Sequence, residues 1–185
     1  MMVRRFYDAD EMRTFLTAVD RHLSHATDVV VIGGAAAALH ETRSTTSDVD
    51  TWNELSASLE RAIERARKET GLDIPVSRSP VADIPYEAED RFERMLPALA
   101  KLRVFVLEKH DLALSKIVRG DDHDLQQLEE LHAQNPLSFD TLVARFRTEM
   151  THVMGDRARI EAQFLELVDR LFGELKRIAA EKALG

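Results

Sequence analysis

Asp48 and Asp50 stand in the run Ser47-Asp48-Val49-Asp50, which begins thirteen residues after the Gly33-Gly34 pair. On a strand, positions i and i+2 project to one face, so both carboxylates can reach the same divalent cation. The chemistry implied is metal-assisted work on a phosphate. Ahead of the aspartates runs Val29-Val30-Val31-Ile32, a β-branched stretch that stops at the two glycines. It passes into Ala35 to His40, which is rich in helix formers. This order predicts strand, tight turn, helix. A glycine turn at a helix start lets backbone amides approach a phosphate closely.

The elements that must hold these residues follow from periodicity. Asp10 to Ala26 carries Met12, Phe15, Leu16, Val19 and Leu23 at helical spacing, with acidic residues at its start suited to capping. Thr42 to Ser47 is a polar connection, and Val49, Thr51 and Trp52 favour a second strand through both aspartates. Glu54 to Thr70, closed by Gly71, reads as a charged helix with Leu55, Leu59, Ala62, Ile63 and Ala66 along one side. Four of the five prolines lie between Gly71 and Pro97, so short strands or loops are expected there. Leu102 to Leu107 alternates as a further strand. Asp111 is expected to cap a helix through Val118, Gly120 to end it, and Asp121 or Asp122 to start another running to about His132. Ser138 is expected to cap a helix from about Phe139. After Gly155 one long amphipathic stretch presents Ile160, Phe164, Leu167, Val168, Leu171, Leu175 and Ile178. That stripe reads as core packing first, and its length leaves room for a homodimer contact or a protein partner.

The whole chain bounds the reading. Its 185 residues suffice for one domain with a helical appendage, and 44% hydrophobic with 31% charged residues is the composition of an ordinary water-soluble protein. The longest apolar run, Val29 to Leu39, is too short to cross a bilayer, and the N-terminus lacks the apolar core of a secretory signal. With no cysteine there is neither disulfide nor thiolate zinc site, and a cytoplasmic, bacterial protein is expected. A net charge of -8 opposes generic adhesion to nucleic acid without excluding a nucleic-acid end held at a metal site. The seven histidines are scattered and receive no role.

The strand, Gly33-Gly34 turn, helix, polar loop and Asp48-Val49-Asp50 resemble the minimal core of the polymerase-beta-like nucleotidyltransferase superfamily. Its usual motif is Gly-Ser followed by Asp-x-Asp; here Ala35 follows two glycines, so the serine hydroxyl offered to the triphosphate is missing. A second resemblance lies in Asp111-Leu-Ala-Leu-Ser-Lys116-Ile-Val-Arg119-Gly-Asp-Asp-His-Asp124 and on to Leu128. It is similar to the segment Asp-Leu-Ala-Leu-Ser-Lys-Leu-x-Arg-Asn-x-x-Arg-Asp-x-x-Asp-Val of bacterial nucleotidyltransferases related to AbiEii-like and MenT-type toxins. The likeness runs from about Val29 to Met150, with Gly120, His123 and Gln127 as departures.

The resemblance implies an α/β (α+β) fold: a small mixed sheet flanked by helices over residues 1–135, and a helical C-terminal region over 136–185. It implies Mg²⁺- or Mn²⁺-dependent transfer of a nucleoside monophosphate from an NTP. Asp48, Asp50, Lys116 and Asp124 would be catalytic. Asp48, Asp50 and Asp124 would ligate metal, with Asp73 as the rival third carboxylate. Gly33, Gly34, Arg43, Thr46, Ser47 and Lys116 would meet the nucleotide. The acceptor would be a tRNA 3′ end, in a toxin with a cognate antitoxin or in phage defence. A protein acceptor and a catalytically silent nucleotide- or partner-binding module are the alternatives. Taken without the resemblance, Lys116 is equally a solvated helix residue, and Asp124 equally a carboxylate stabilising a helix start.

Overall fold

The computed structural model describes residues 5–40, 45–79 and 83–185, and these form two compact units. One comprises the described residues before Asp83 together with Phe92–Leu107, and the other Asp83–Arg91 with Glu108–Gly185. Residue 135, expected as the end of the first domain, is the C-cap of a helix inside the second unit.

The first unit is a five-stranded mixed sheet with helices. Its elements are α1 (Ala9–His22), β1 (Thr27–Ile32), α2 (Gly33–Leu39), β2 (Val49–Thr51), α3 (Ala57–Thr70), β3 (Val76–Arg78), β4 (Glu93–Met95) and β5 (Leu102–Val106). The strand order is β3-β2-β1-β5-β4. The β-branched run is therefore central: β1 pairs parallel with β5 and antiparallel with β2. Phe15, Leu16 and Val19 of α1 and Leu59 and Ile63 of α3 bury their apolar stripes against Val29, Val31 and Leu102. Among them lies an apolar cavity of about 20 Å³, about the size of one water.

Helix α1 begins with a reciprocal cap. Asp8 Oδ1 accepts from the Glu11 amide at 2.9 Å, and Glu11 Oε2 accepts from the Asp8 amide at 3.2 Å. It stops at His22, four residues before the expected end, because Leu23 turns to extended backbone and its carbonyl accepts from Lys101 Nζ at 2.6 Å. Nothing in the sequence signals the reason, which lies about eighty residues away. Asp20 accepts from the amides of Ala100, Lys101 and Leu102 at 3.2, 2.6 and 2.6 Å, tying α1 to the start of β5.

Burial by itself would raise the Asp20 pKa, but those three amides and the Lys101 ammonium outweigh it and hold the carboxyl below its ordinary value. Asp20→Asn is expected to cost about 2 kcal/mol in urea unfolding, because an NH₂ group would then face amide donors. A folded pKa below the unfolded one stabilises above the ordinary carboxyl range and is lost as pH falls through the folded value. Below about pH 4 the variant and the parent should therefore converge. A gap that stays constant down to pH 2 would show that the carboxylate charge is not what these amides hold.

The second unit is helical: a 3₁₀ turn (Ala88–Arg91), α4 (Lys109–Arg119), α5 (Asp122–Gln134), α6 (Phe139–Glu149), α7 (Arg157–Phe172) and α8 (Glu174–Leu184). Ser138 caps α6 as expected, and its core includes Phe146 stacked on Phe164 at 4.1 Å. The long C-terminal stretch is broken: Gly173, at φ 85°, separates α7 from α8. Ile160, Phe164, Leu167 and Val168 are buried, whereas Leu175 is 85% exposed.

Asp111 is also not a cap. Glu108 caps α4, and Asp111, one turn in, is wholly buried between two arginines. Arg91 donates to it at 2.9 and 3.1 Å and Arg145 at 2.8 Å. Here tertiary pairing overrides local capping. It ties the 3₁₀ turn, α4 and α6 together.

Candidate active site

The acidic motif is positioned by β1 and β2. Ile32 lies opposite Asp50 and Val31 opposite Thr51, and the ladder continues as Trp52 N–H donates to Val30 O at 2.8 Å. Beyond it the Asn53 side chain substitutes for a strand: Oδ1 accepts from the Val30 amide at 2.7 Å and Nδ2 donates to Asp28 O at 3.1 Å. This register lock was not expected, since an asparagine after a strand reads simply as a turn residue.

Strand β2 is shorter than expected, so Asp50 lies in it and Asp48 precedes it. The alternation nevertheless holds: Val49 and Thr51 are buried, while Asp48 and Asp50 are half-buried on the other side. Gly33 has a φ of 67°, a left-handed conformation that glycine adopts without strain. A Cβ built on it would stand 3.4 Å from Asp50 Oδ2, so the carboxylate lies directly over the turn. A Cβ on Gly34 would come to 3.0 Å from Thr46 Oγ1. Helix α2 starts at Gly33 itself, and Ile32 before it has no side-chain acceptor to cap the first amides. Asp50 is thus brought to the Gly33 turn, and Thr46 to Gly34.

The loop before Asp48 is held by hydrogen bonds. Thr46 Oγ1 donates to Asp48 O at 2.9 Å and Ser47 Oγ to Asp48 Oδ2 at 3.2 Å. Ser47 is half-buried beside the carboxylate, whereas Thr46 is only 5% exposed. Arg43 lies outside the described residues. Asp73 is not on a strand: it precedes β3, its side chain is 93% exposed, and Arg67 lies 3.6 Å away. The β3 residue opposite Asp50 is Ser77. Among the described residues no three His, Asp or Glu side chains gather as a metal-ligand group.

Lys116 and Asp124 belong to the second unit, where Gly120, at φ 61°, forms the elbow between α4 and α5. Both are buried and paired with each other. Lys116 Nζ donates to Asp124 Oδ1 at 2.8 Å and to Gln127 Oε1 at 2.6 Å. Arg119 donates to both Asp124 oxygens, at 2.7 and 2.6 Å. Burial favours the neutral acid, but Arg119 and Lys116 outweigh it and hold the Asp124 carboxyl below its ordinary value. Gln127, a departure from the similar segment, is the second acceptor that the buried ammonium requires. Neither residue is a solvated surface group.

Among the described residues no helix is long and apolar enough to cross a membrane. No curated protein and no solved structure matches the chain. Residues 8–171 do match a family model described as nucleotidyltransferases of unknown function (DUF6036), a stretch that takes in Gly33, Gly34, Asp48, Asp50, Lys116 and Asp124. This protein belongs to that nucleotidyltransferase family.

Proposed function

We propose that the protein transfers a nucleoside monophosphate from an NTP to an acceptor hydroxyl at the Asp48 and Asp50 carboxylates. The supporting observation is the approach of the Asp50 carboxylate to the Gly33 turn, 3.4 Å from where a Cβ would stand. One carboxylate and open backbone lie together, as an NTP phosphate with its cation would need. The donor set fits a divalent cation: two half-buried carboxylates suit Mg²⁺, which fills its remaining positions with water and phosphate oxygens. Bound there with the NTP, the cation supplies neutralisation of phosphate charge and a lower pKa for the acceptor hydroxyl.

The chain's own part is placement. Asp48 and Asp50 hold the donor, and the Gly33-Gly34 amides approach its phosphate oxygens without side-chain hindrance. The acceptor oxygen forms a bond to the α-phosphorus as the bond to pyrophosphate breaks, and the hydroxyl proton leaves to a base. Asp124 is assigned by resemblance as that base or as a third ligand, and Lys116 as the contact to the β,γ-phosphates. Either role requires the two to exchange their mutual ion pair for substrate.

The resemblance to AbiEii-like and MenT-type toxins makes a tRNA 3′ end the leading acceptor and a cognate antitoxin the leading partner. A second reading is a module that binds nucleotide without turnover. It is favoured by Ala35 in place of the motif serine and by Gln127 in place of the second aspartate of the similar segment. Incubation with each α-labelled NTP, Mg²⁺ or Mn²⁺, and either total tRNA or protein lysate separates these. Label is expected in tRNA, and to vanish in the Asp48→Ala, Asp50→Ala double variant. Label in protein would replace RNA by AMPylation, nucleotide binding without transfer would support the silent module, and label that persists in the double variant would end the proposal.

A further inference from the structure

We infer that Thr46, fastened by Tyr7, is a positioning residue for Asp48. The two acidic residues are held by different means. Asp50 is in the β2 ladder, where Ile32 opposite it fixes its backbone. Asp48 lies just before the strand, and the peptide that follows it joins the sheet through Val49 N–H, which donates to Pro75 O at 2.8 Å. From the preceding loop, Ser47 Oγ donates to the Asp48 carboxylate at 3.2 Å, and the Thr46 hydroxyl donates to Asp48 O at 2.9 Å from a side chain that is almost wholly buried.

Thr46 is itself fixed from the far end of the unit. Tyr7 and Thr46 form an isolated antiparallel bridge, with Tyr7 N–H donating to Thr46 O at 2.8 Å and Thr46 N–H to Tyr7 O at 2.9 Å. The Tyr7 ring is buried, and its hydroxyl donates to Asp73 O at 2.9 Å, just ahead of β3. The segment before α1 is therefore a strap across the loop that carries Asp48. Gly34 completes the arrangement, since the Thr46 hydroxyl occupies the space a side chain at position 34 would enter, 3.0 Å from its Cβ position. This turns Thr46 from a phosphate contact, as the resemblance would have it, into a support for a ligand.

This inference rests on Asp48 being a metal ligand, and Mn²⁺ binding followed by electron paramagnetic resonance on the full chain, with no acceptor present, tests the two separately. Thr46→Val keeps the shape and the backbone bridge but removes the hydroxyl. Mn²⁺ affinity should fall about tenfold, the size typical of losing an outer-shell partner. Thr46→Ser should restore it, and thermal unfolding of the serine variant should match the parent. Should Thr46→Val fail to fold, Tyr7→Phe decides, with a smaller loss of about threefold expected from freeing the strap at Asp73. If Asp48→Ala weakens Mn²⁺ binding while Thr46→Val or Tyr7→Phe binds as the parent does, the positioning role is wrong and the ligand reading stands. If the parent binds no Mn²⁺, or Asp48→Ala changes nothing, the ligand reading fails and this inference with it.

Discussion

Asp50→Asn is expected to fold as the parent does and to lose nucleotidyl transfer by about 10³-fold. The loss follows from chemistry that is almost wholly electrostatic: a single preorganised group facing the developing charge is worth about 10²–10³ in rate, and a ligand carboxylate carries a full charge. The folding side follows from the sheet. Asp50 contributes backbone to the β1–β2 ladder, which asparagine keeps, and its half-buried side chain lies over a glycine turn with nothing apolar to lose. Asparagine keeps the size and one accepting oxygen, so the change in stability should not exceed that of one hydrogen bond, about 1 kcal/mol. Single-turnover transfer of labelled nucleoside monophosphate, beside a urea curve, measures both. Transfer within tenfold of the parent would remove Asp50 from the site; a large fall in stability would make it a structural residue instead.

Asp111→Ala should produce the largest loss of stability, about 3 kcal/mol, which for a chain of this length is roughly 6–12 °C in melting temperature. Removing one partner of a buried pair leaves the other charges uncompensated. Here Arg91 and Arg145 would both face an empty acceptor position between the 3₁₀ turn, α4 and α6. The cost falls at the low end of the range because Arg91 keeps Glu149 at 2.5 Å and Arg145 keeps Glu108 at 2.5 Å. Asp111→Asn should lose less than alanine. Equal stability for alanine and parent in calorimetry would show that the arginines find water instead.

The same cluster predicts the acid response of this unit. Burial would raise the Glu108 pKa, but His110 and Arg145 outweigh it and bring the carboxyl down to about 2. A lowered folded value means that its contribution is complete above the ordinary 4.5 and fades as pH falls toward 2. Glu108→Gln should accordingly destabilise at pH 7 and have little effect near pH 2.

Much of the candidate site was legible because it is built from short-range rules. The β-branched run, the glycine turn and the alternation that puts Asp48 and Asp50 on one side are relations between neighbours, as are the Gly71, Gly120 and Ser138 helix ends. Elsewhere the same rules misled. Asp111 has the type and place of a cap, yet two arginines from other elements claimed it. For Lys116 and Asp124 the neighbouring residues left a site role and a plain helix role equally open, and the structure makes them a buried pair across the elbow at Gly120. The apolar stripe continues through Gly173, but a residue at φ 85° breaks the helix whatever the stripe does.

The sequence by itself determined which residues carry acid, where the chain turns and which stretches form helices or strands. These depend on side-chain type and on preferences that act within a helical turn or a strand's alternation. Only the tertiary structure decided what holds each charge. Asp20 meets its amides eighty residues on, Asp48 is reached through a threonine strapped to Tyr7, and Asp111 draws in Arg91 and Arg145. The physical reason is that a buried charge must find partners wherever folding brings them, and sequence spacing does not constrain that distance.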